Sequence, residues 1–163
     1  MRILIAYASS TGTVEKCVNM LASKLPAADI RNLAKNKLTP PDPPPYDMVI
    51  VGGGIRGGVI NSEVQVYLKN CADILAAKQF GVFICCGDDN KYMDLLMRNV
   101  PSELLDSAKA AMSFGGELAP ERARGLEKFM LKLMKAGGKK AGNEMHLFPE
   151  RIDEFARKML ENA

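Results

Sequence analysis

The sequence predicts an α/β protein: a three-layer sandwich whose five-stranded parallel sheet has strand order 2-1-3-4-5. Three observations predict it. The runs at 3–7, 47–54 and 80–87 are apolar without alternation, as strands buried on both faces of a parallel sheet read. Between them lie stretches whose apolar residues recur at helical spacing. The two patterns alternate along 163 residues, a length that suits one domain, taken here as 1–163.

Each element follows from its residues. "ILIAY" (3–7) is the first strand, and Val14, Cys17, Val18, Leu21, Ala22 and Leu25 form the inward stripe of a helix that stops before Pro26. A short strand is expected around Asp29–Leu33. "TPPDPPPYD" then places five prolines in six positions (40–45), which excludes a helix interior and reads as a stiff loop within the domain. "DMVIVGGG" (47–54) is the next strand. Asn61 can cap a helix with Val64, Tyr67, Leu68, Cys71 and Leu75 inward. "FGVFICCG" (80–87) is a strand, Tyr92–Ala110 a weaker helical stretch, and "AMSFGGEL" (111–118) the last strand. Two helices close the chain, with Pro120 and Pro149 in their first turns; the second, 149–162, aligns Ile152, Phe155, Ala156, Met159 and Leu160.

Composition narrows the function classes. No apolar run approaches the roughly 20 residues of a membrane span, and "MRILIAYASSTG" has neither the apolar core nor the cleavage site of a signal peptide. The four cysteines lack CxxC spacing and three sit in apolar patterns, so they read as reduced packing residues of a cytoplasmic protein. The net charge of +3 is uneven: residues 121–140 carry +5 and the remainder −2. No nucleic-acid partner is expected.

In a sheet of this order the loops after the first, third and fourth strands meet at one crevice. The first loop carries Ser9, Ser10, Thr11, Gly12, Thr13 and Val14. Backbone N–H groups at a helix N-terminus attract a phosphate, the hydroxyls add donors, and Gly12 permits close approach. The Walker pattern GxxxxGK[ST] is absent, and a hydroxyl-rich helix cap without ligand is the plain alternative. Val14 stands where another hydroxyl would help, but it opens the inward stripe, so its side chain belongs to the core while its N–H faces the loop. The second loop, "VGGGIRGGVIN" (51–61), sets Gly54, Ile55, Gly57 and Gly58 around Arg56. Gly52, Gly54 and Gly57 satisfy GxGxxG, but after the wrong strand for a dinucleotide fingerprint. A glycine-rich backbone close to a flat ligand and a plain tight turn are the two readings. The third loop, "CCGDDNKYM" (85–93), offers Cys86, Gly87, Asp88 and Tyr92; the tyrosine can stack on a planar ring or pack under its own helix. Vicinal Cys85 and Cys86 point to opposite faces of a strand, which favours packing over redox chemistry. His146 is assigned no role.

These motifs resemble the flavodoxins. "YASSTGTVEK" is similar to their phosphate loop, S/T-x-T-G-x-T after the first strand: Ser9, Thr11 and Gly12 fit and Val14 departs from it. The resemblance implies a flavodoxin-like fold and FMN as cofactor. It places the second loop at the flavin ring edge, with Gly57 beside N5, and the third over the other ring face. "IRGG", "GGELAPERARGLEKFMLKLMKAGGKK" and "ERIDEFARKML" resemble a subgroup that includes the menaquinone-dependent protoporphyrinogen oxidases, which insert a basic helix after the last strand. Here that insert is 119–145. On a helical wheel Leu126, Phe129, Met130, Leu133 and Met134 lie opposite Arg124, Lys128, Lys132 and Lys135. Such a helix docks on the sheet with a solvated basic face, or rests on an anionic membrane or acidic partner.

Two readings follow. In the preferred one the protein transfers electrons through bound FMN to a redox partner protein or quinone, and Arg56 favours the reduced, anionic flavin. In the alternative it is a flavoenzyme on the inner membrane face, oxidising a tetrapyrrole and reducing a quinone. No acid–base constellation stands out, so no catalytic residue and no metal site are assigned. A cofactor-free interaction module is the third class; the acidic cluster of a receiver domain is replaced by Ser9 and Ser10.

Overall fold

The computed structural model describes residues 1–35, 46–117 and 146–161. The strands are β1 (Ile3–Ala8), β2 (Ala28–Asn32), β3 (Met48–Arg56), β4 (Val59–Ile60), β5 (Gln79–Cys85) and β6 (Ala110–Ser113). The helices are α1 (Thr13–Ala22), α2 (Ser62–Asn70), α3 (Ala72–Ala76), α4 (Tyr92–Asn99), α5 (Ser102–Ser107) and α6 (Pro149–Leu160). The sheet runs β2-β1-β3-β5-β6, all parallel, and the two-residue β4 folds back antiparallel on β3. With β4 set aside, this is the predicted order of five.

Period-two alternation divides the core into two layers. Ile3, Ile5 and Tyr7 of β1 face α1 and α6, joining Val14, Cys17, Val18, Leu21, Phe83, Phe114, Phe155 and Met159. Leu4, Ala6 and Ala8 face the opposite layer with Val49, Val51, Val64, Leu68, Leu96 and Leu104. In the first layer Phe83 stacks on Phe114 at 4.4 Å, and Phe155 meets both edge-on. The expected opposition of the vicinal cysteines holds: Cys85 lies in the α1 layer, its Sγ 3.7 Å from that of Cys17, and Cys86 in the other. All four cysteines are buried and unbridged.

Several expected boundaries move, each for a local reason. β3 continues to Arg56, because β4 supplies a partner for Ile55 and Arg56. Only Gly57 and Gly58, both at positive φ (55° and 81°), are left to form the turn. The stretch Tyr92–Ala110 is two helices, since Val100 is extended (ψ 133°) as the residue before Pro101 must be. The helix after Asn61 likewise breaks at Cys71. β2 spans Ala28–Asn32 rather than Asp29–Leu33, and β6 ends at Ser113, where Gly115 turns away at φ 79° to bridge Leu147. The helix at Pro120 and the 119–145 insert lie outside the described residues, as does the proline run. Among the described residues no helix is long and apolar enough to cross a membrane, and no cluster of three metal-ligating side chains occurs.

The buried titratable groups of the second layer make the fold alkali-sensitive. Burial pushes the Cys71 thiol up to about 11 from its ordinary 9.0. Burial also raises Tyr67, whose hydroxyl has no hydrogen-bond partner among the described residues. Both stay protonated in the fold where the unfolded chain has begun to release its protons: the contribution of Cys71 is complete below about pH 9 and lost as pH rises through about 11, and that of Tyr67 begins to fall near pH 10. The denaturant midpoint is expected to be flat up to pH 8.5 and to fall steadily towards pH 10.5. A midpoint unchanged over that range contradicts the assignment.

Candidate functional site

The carboxyl ends of β1, β3 and β5 carry three loops to one edge of the sheet. The first is Ser9–Gly12. Gly12 is the N-cap of α1 at φ 87°, a left-handed conformation that suits glycine, and among the described residues no side chain makes a cap bond to the helix. Its carbonyl accepts from Lys16 N–H, so the N–H groups of Thr13, Val14 and Glu15 precede any intrahelical acceptor. The hydroxyls are engaged in a particular sense. Gly12 N–H donates to Ser9 Oγ (3.0 Å) and Asn61 Nδ2 donates to Ser10 Oγ (3.0 Å). Each serine therefore uses an acceptor lone pair and keeps its O–H to donate. Thr11 and Thr13 share one contact at 3.4 Å, and Thr13 is buried.

Val14 is 3% exposed within the α1 layer, as its place in the stripe predicts. It also forms the floor against the second loop: a Cβ built on Gly54 would sit 3.5 Å from both Val14 Cγ2 and Asn61 Oδ1. Asn61, expected only as a helix cap, makes no capping bond. Its carboxamide instead ties two loops together, accepting from Gly54 N–H at 2.7 Å while donating to Ser10. Its position just after the hairpin is the only sequence signal of that role. Gly54, Ile55 and Arg56 stand on β3 rather than in a loop, and Gly57 and Gly58 have open space where a Cβ would be.

The third loop begins at Cys86, whose N–H donates to Gly115 O (3.0 Å) and whose thiol lies 3.4 Å from Ser113 Oγ. Burial pushes that thiol up from its ordinary value. Gly87 and Asp88 follow; Gly116 approaches so closely that a Cβ there would lie 2.9 Å from Cys86 O. Asp89 pairs with Arg151 at the start of α6 (2.7 Å), and the same guanidinium stacks over Phe148 at 4.2 Å. Tyr92 is half-buried against the second layer, its ring centroid 5.6 Å from that guanidinium. Arg151 is a residue sequence reasoning missed; it fixes the third loop from 62 residues away in the chain, beyond the reach of any local pattern. On α1, Lys16 is paired with Glu117 (2.7 Å), so neutral donors line the first loop.

A parallel sheet of this order with an uncapped helix N-terminus after β1, a glycine hairpin after β3 and a third loop after β5 defines a flavodoxin-like protein. The model of the Flavodoxin domain family matches residues 4–144, and the chain belongs to that family, whose members carry electrons on a bound flavin. Among solved structures it is similar to Streptococcus pneumonia TIGR4 flavodoxin, at 17% identity over 100% of both chains with a TM-score of 0.62. Oxidised Flavodoxin 2 from Bacillus cereus aligns at 20% identity over 100% of both chains, TM-score 0.58. Flavodoxin 1 from the same organism gives 11%, 100% of this chain and 99% of that one, and 0.57. At these identities the likeness is one of fold. No curated protein sequence matches the chain.

Proposed function

We propose that the chain binds FMN and passes electrons from it to a redox partner protein. One observation carries the reading: the first loop of a flavodoxin-family chain presents an uncapped helix N-terminus whose neighbouring serines keep their O–H donors. Bound there, FMN would supply the one- and two-electron chemistry. The protein's own residues do the holding. The N–H groups of Thr13, Val14 and Glu15, with Ser9, Ser10 and Thr11, take the phosphate. Gly12 lets the backbone approach, and Val14 and Gly54 close the floor against water. Ile55, Arg56, Gly57 and Gly58 border the ring on one side; Cys86, Gly87 and Asp88 border it on the other, with Tyr92 behind. The residues present fit the group, because a monophosphate needs several donors and, among the described residues, no side-chain carboxylate is bonded to the loop's N–H groups.

The test is quenching of flavin fluorescence on titrating cofactor-free protein. FMN is expected to bind at one per chain and at least about tenfold more tightly than riboflavin, the scale of one lost charged hydrogen bond. Equal affinity for the two removes the phosphate site, and no quenching removes the reading. The oxidase reading, with its quinone and membrane contacts, draws on the basic stretch 119–145; no contact of the described residues adds to it. If it is right, charge reversal at Lys128 and Lys132 abolishes sedimentation with anionic vesicles.

A further inference from the structure

The β3–β4 hairpin poses a question of support. β4 is two residues long, and a hairpin of that size cannot hold itself in water. Its turn, Gly57–Gly58, has positive φ at both positions, the signature of a type I′ turn, and among the described residues no atom beyond the adjoining residues lies within 4 Å of a Cβ placed at either. Side-chain packing by the described residues therefore does not set where the two glycines stand. Among the described residues, one side chain from another element bonds to both the turn and β4. Asn99, the last residue of α4 and only 6% exposed, accepts from Ile60 N–H at 2.9 Å through Oδ1. Its Nδ2 donates to Gly58 O at 3.0 Å and to Leu95 O at 2.8 Å. Both amide hydrogens and the carbonyl are used, so a group costly to bury is fully satisfied. An apolar side chain would seal the gap between α4 and β4 but would leave Ile60 N–H without its acceptor.

We propose that Asn99 is a positioning residue for the cofactor site: it sets, from α4, where the Gly57–Gly58 tip stands. The inference rests on the flavin reading above. Its three hydrogen bonds all go to backbone groups, so it acts on the tip through the main chain. Because α4 follows directly on the third loop, the same side chain also fixes the spacing between the two loops that border the ring.

Two variants test it. Asn99→Leu removes all three bonds at similar volume; Asn99→Asp keeps an acceptor for Ile60 N–H but sets an oxygen against two carbonyls. In cofactor-free protein, amide exchange at Ile60 is expected to accelerate about tenfold or more in Asn99→Leu, the scale of one buried hydrogen bond. In Asn99→Asp, Ile60 keeps its protection while Gly58 and Val59 exchange faster. In both variants FMN affinity falls about tenfold, and the midpoint potential of the bound flavin shifts. Unchanged tip exchange in a folded variant overturns the clamp. A lowered melting temperature with unchanged affinity and potential marks a merely structural role and overturns the proposal too. If Asn99→Leu does not fold, Asn99→Asp decides. A parent that binds no FMN defeats the flavin reading and the positioning role together, while the exchange pattern still shows whether the clamp exists.

Discussion

Thr11→Asp is expected to abolish FMN binding while leaving the cofactor-free protein at least as stable as the parent. The two effects have opposite sign because they draw on the same field. An uncapped helix N-terminus favours negative charge, and a carboxylate there stabilises the helix by about 0.3–1 kcal/mol. Thr11 precedes the Gly12 cap, and its hydroxyl lies 3.4 Å from that of the first helical residue, so an aspartate there would occupy the place proposed for the phosphate. Two unit charges about 4 Å apart near a protein surface repel by roughly 4 kcal/mol. Affinity should therefore fall by more than about 100-fold. Thr11→Ser, which keeps the hydroxyl, is the control. Thermal melting of the empty proteins and FMN titration check both halves; an aspartate variant within tenfold of the parent in affinity would place the phosphate elsewhere.

The second large effect separates three glycines that look alike in the sequence. A Cβ on Gly52 would fall 2.1–2.7 Å from three atoms of the Phe83 ring. Phe83 cannot retreat, since Phe114 stacks on it and Phe155 closes its edge. Gly52→Ala is expected to cost about 3 kcal/mol, the upper end of ordinary overpacking. On Gly53 the nearest atoms are the flexible end of Ile60, at 2.7 and 2.9 Å, and an intermediate loss is expected. Gly54 meets nothing closer than 3.5 Å, so Gly54→Ala should stay within about 1 kcal/mol. Urea denaturation of the three variants gives the order; a Gly52→Ala protein as stable as Gly54→Ala would refute the ring contact.

That contrast shows what a sequence can convey here. Continuous apolar runs announced β1, β3 and β5, because burial on both faces is written directly into composition. The stripe from Val14 to Leu21 announced the inward face of α1 and explained Val14 itself. The run of glycines at 52–54 gave no sign that the first two serve packing and only the third faces the candidate site, since the deciding neighbours, Phe83 and Ile60, are set by sheet register. Asn99, and the bonds by which Asn61 does more than precede a helix, escaped notice for the same reason: a carboxamide's partners depend on which elements approach, not on spacing. The break at Pro101 was legible in principle, yet the apolar residues on either side continue a helical pattern across it.

The aromatic triad of the α1 layer also has a consequence in time. Phe83, Phe114 and Phe155 come from strand β5, the turn after β6 and helix α6, spread over more than 70 residues of chain. On a ribosome, where domains form from the N-terminus onward, this layer stays open until α6 has emerged. β1, α1 and the phosphate-type loop are made first, yet the surface beneath them is closed last. A nascent chain stalled before residue 149 would expose the faces of Phe83 and Phe114 together, a greasy patch suited to chaperone capture.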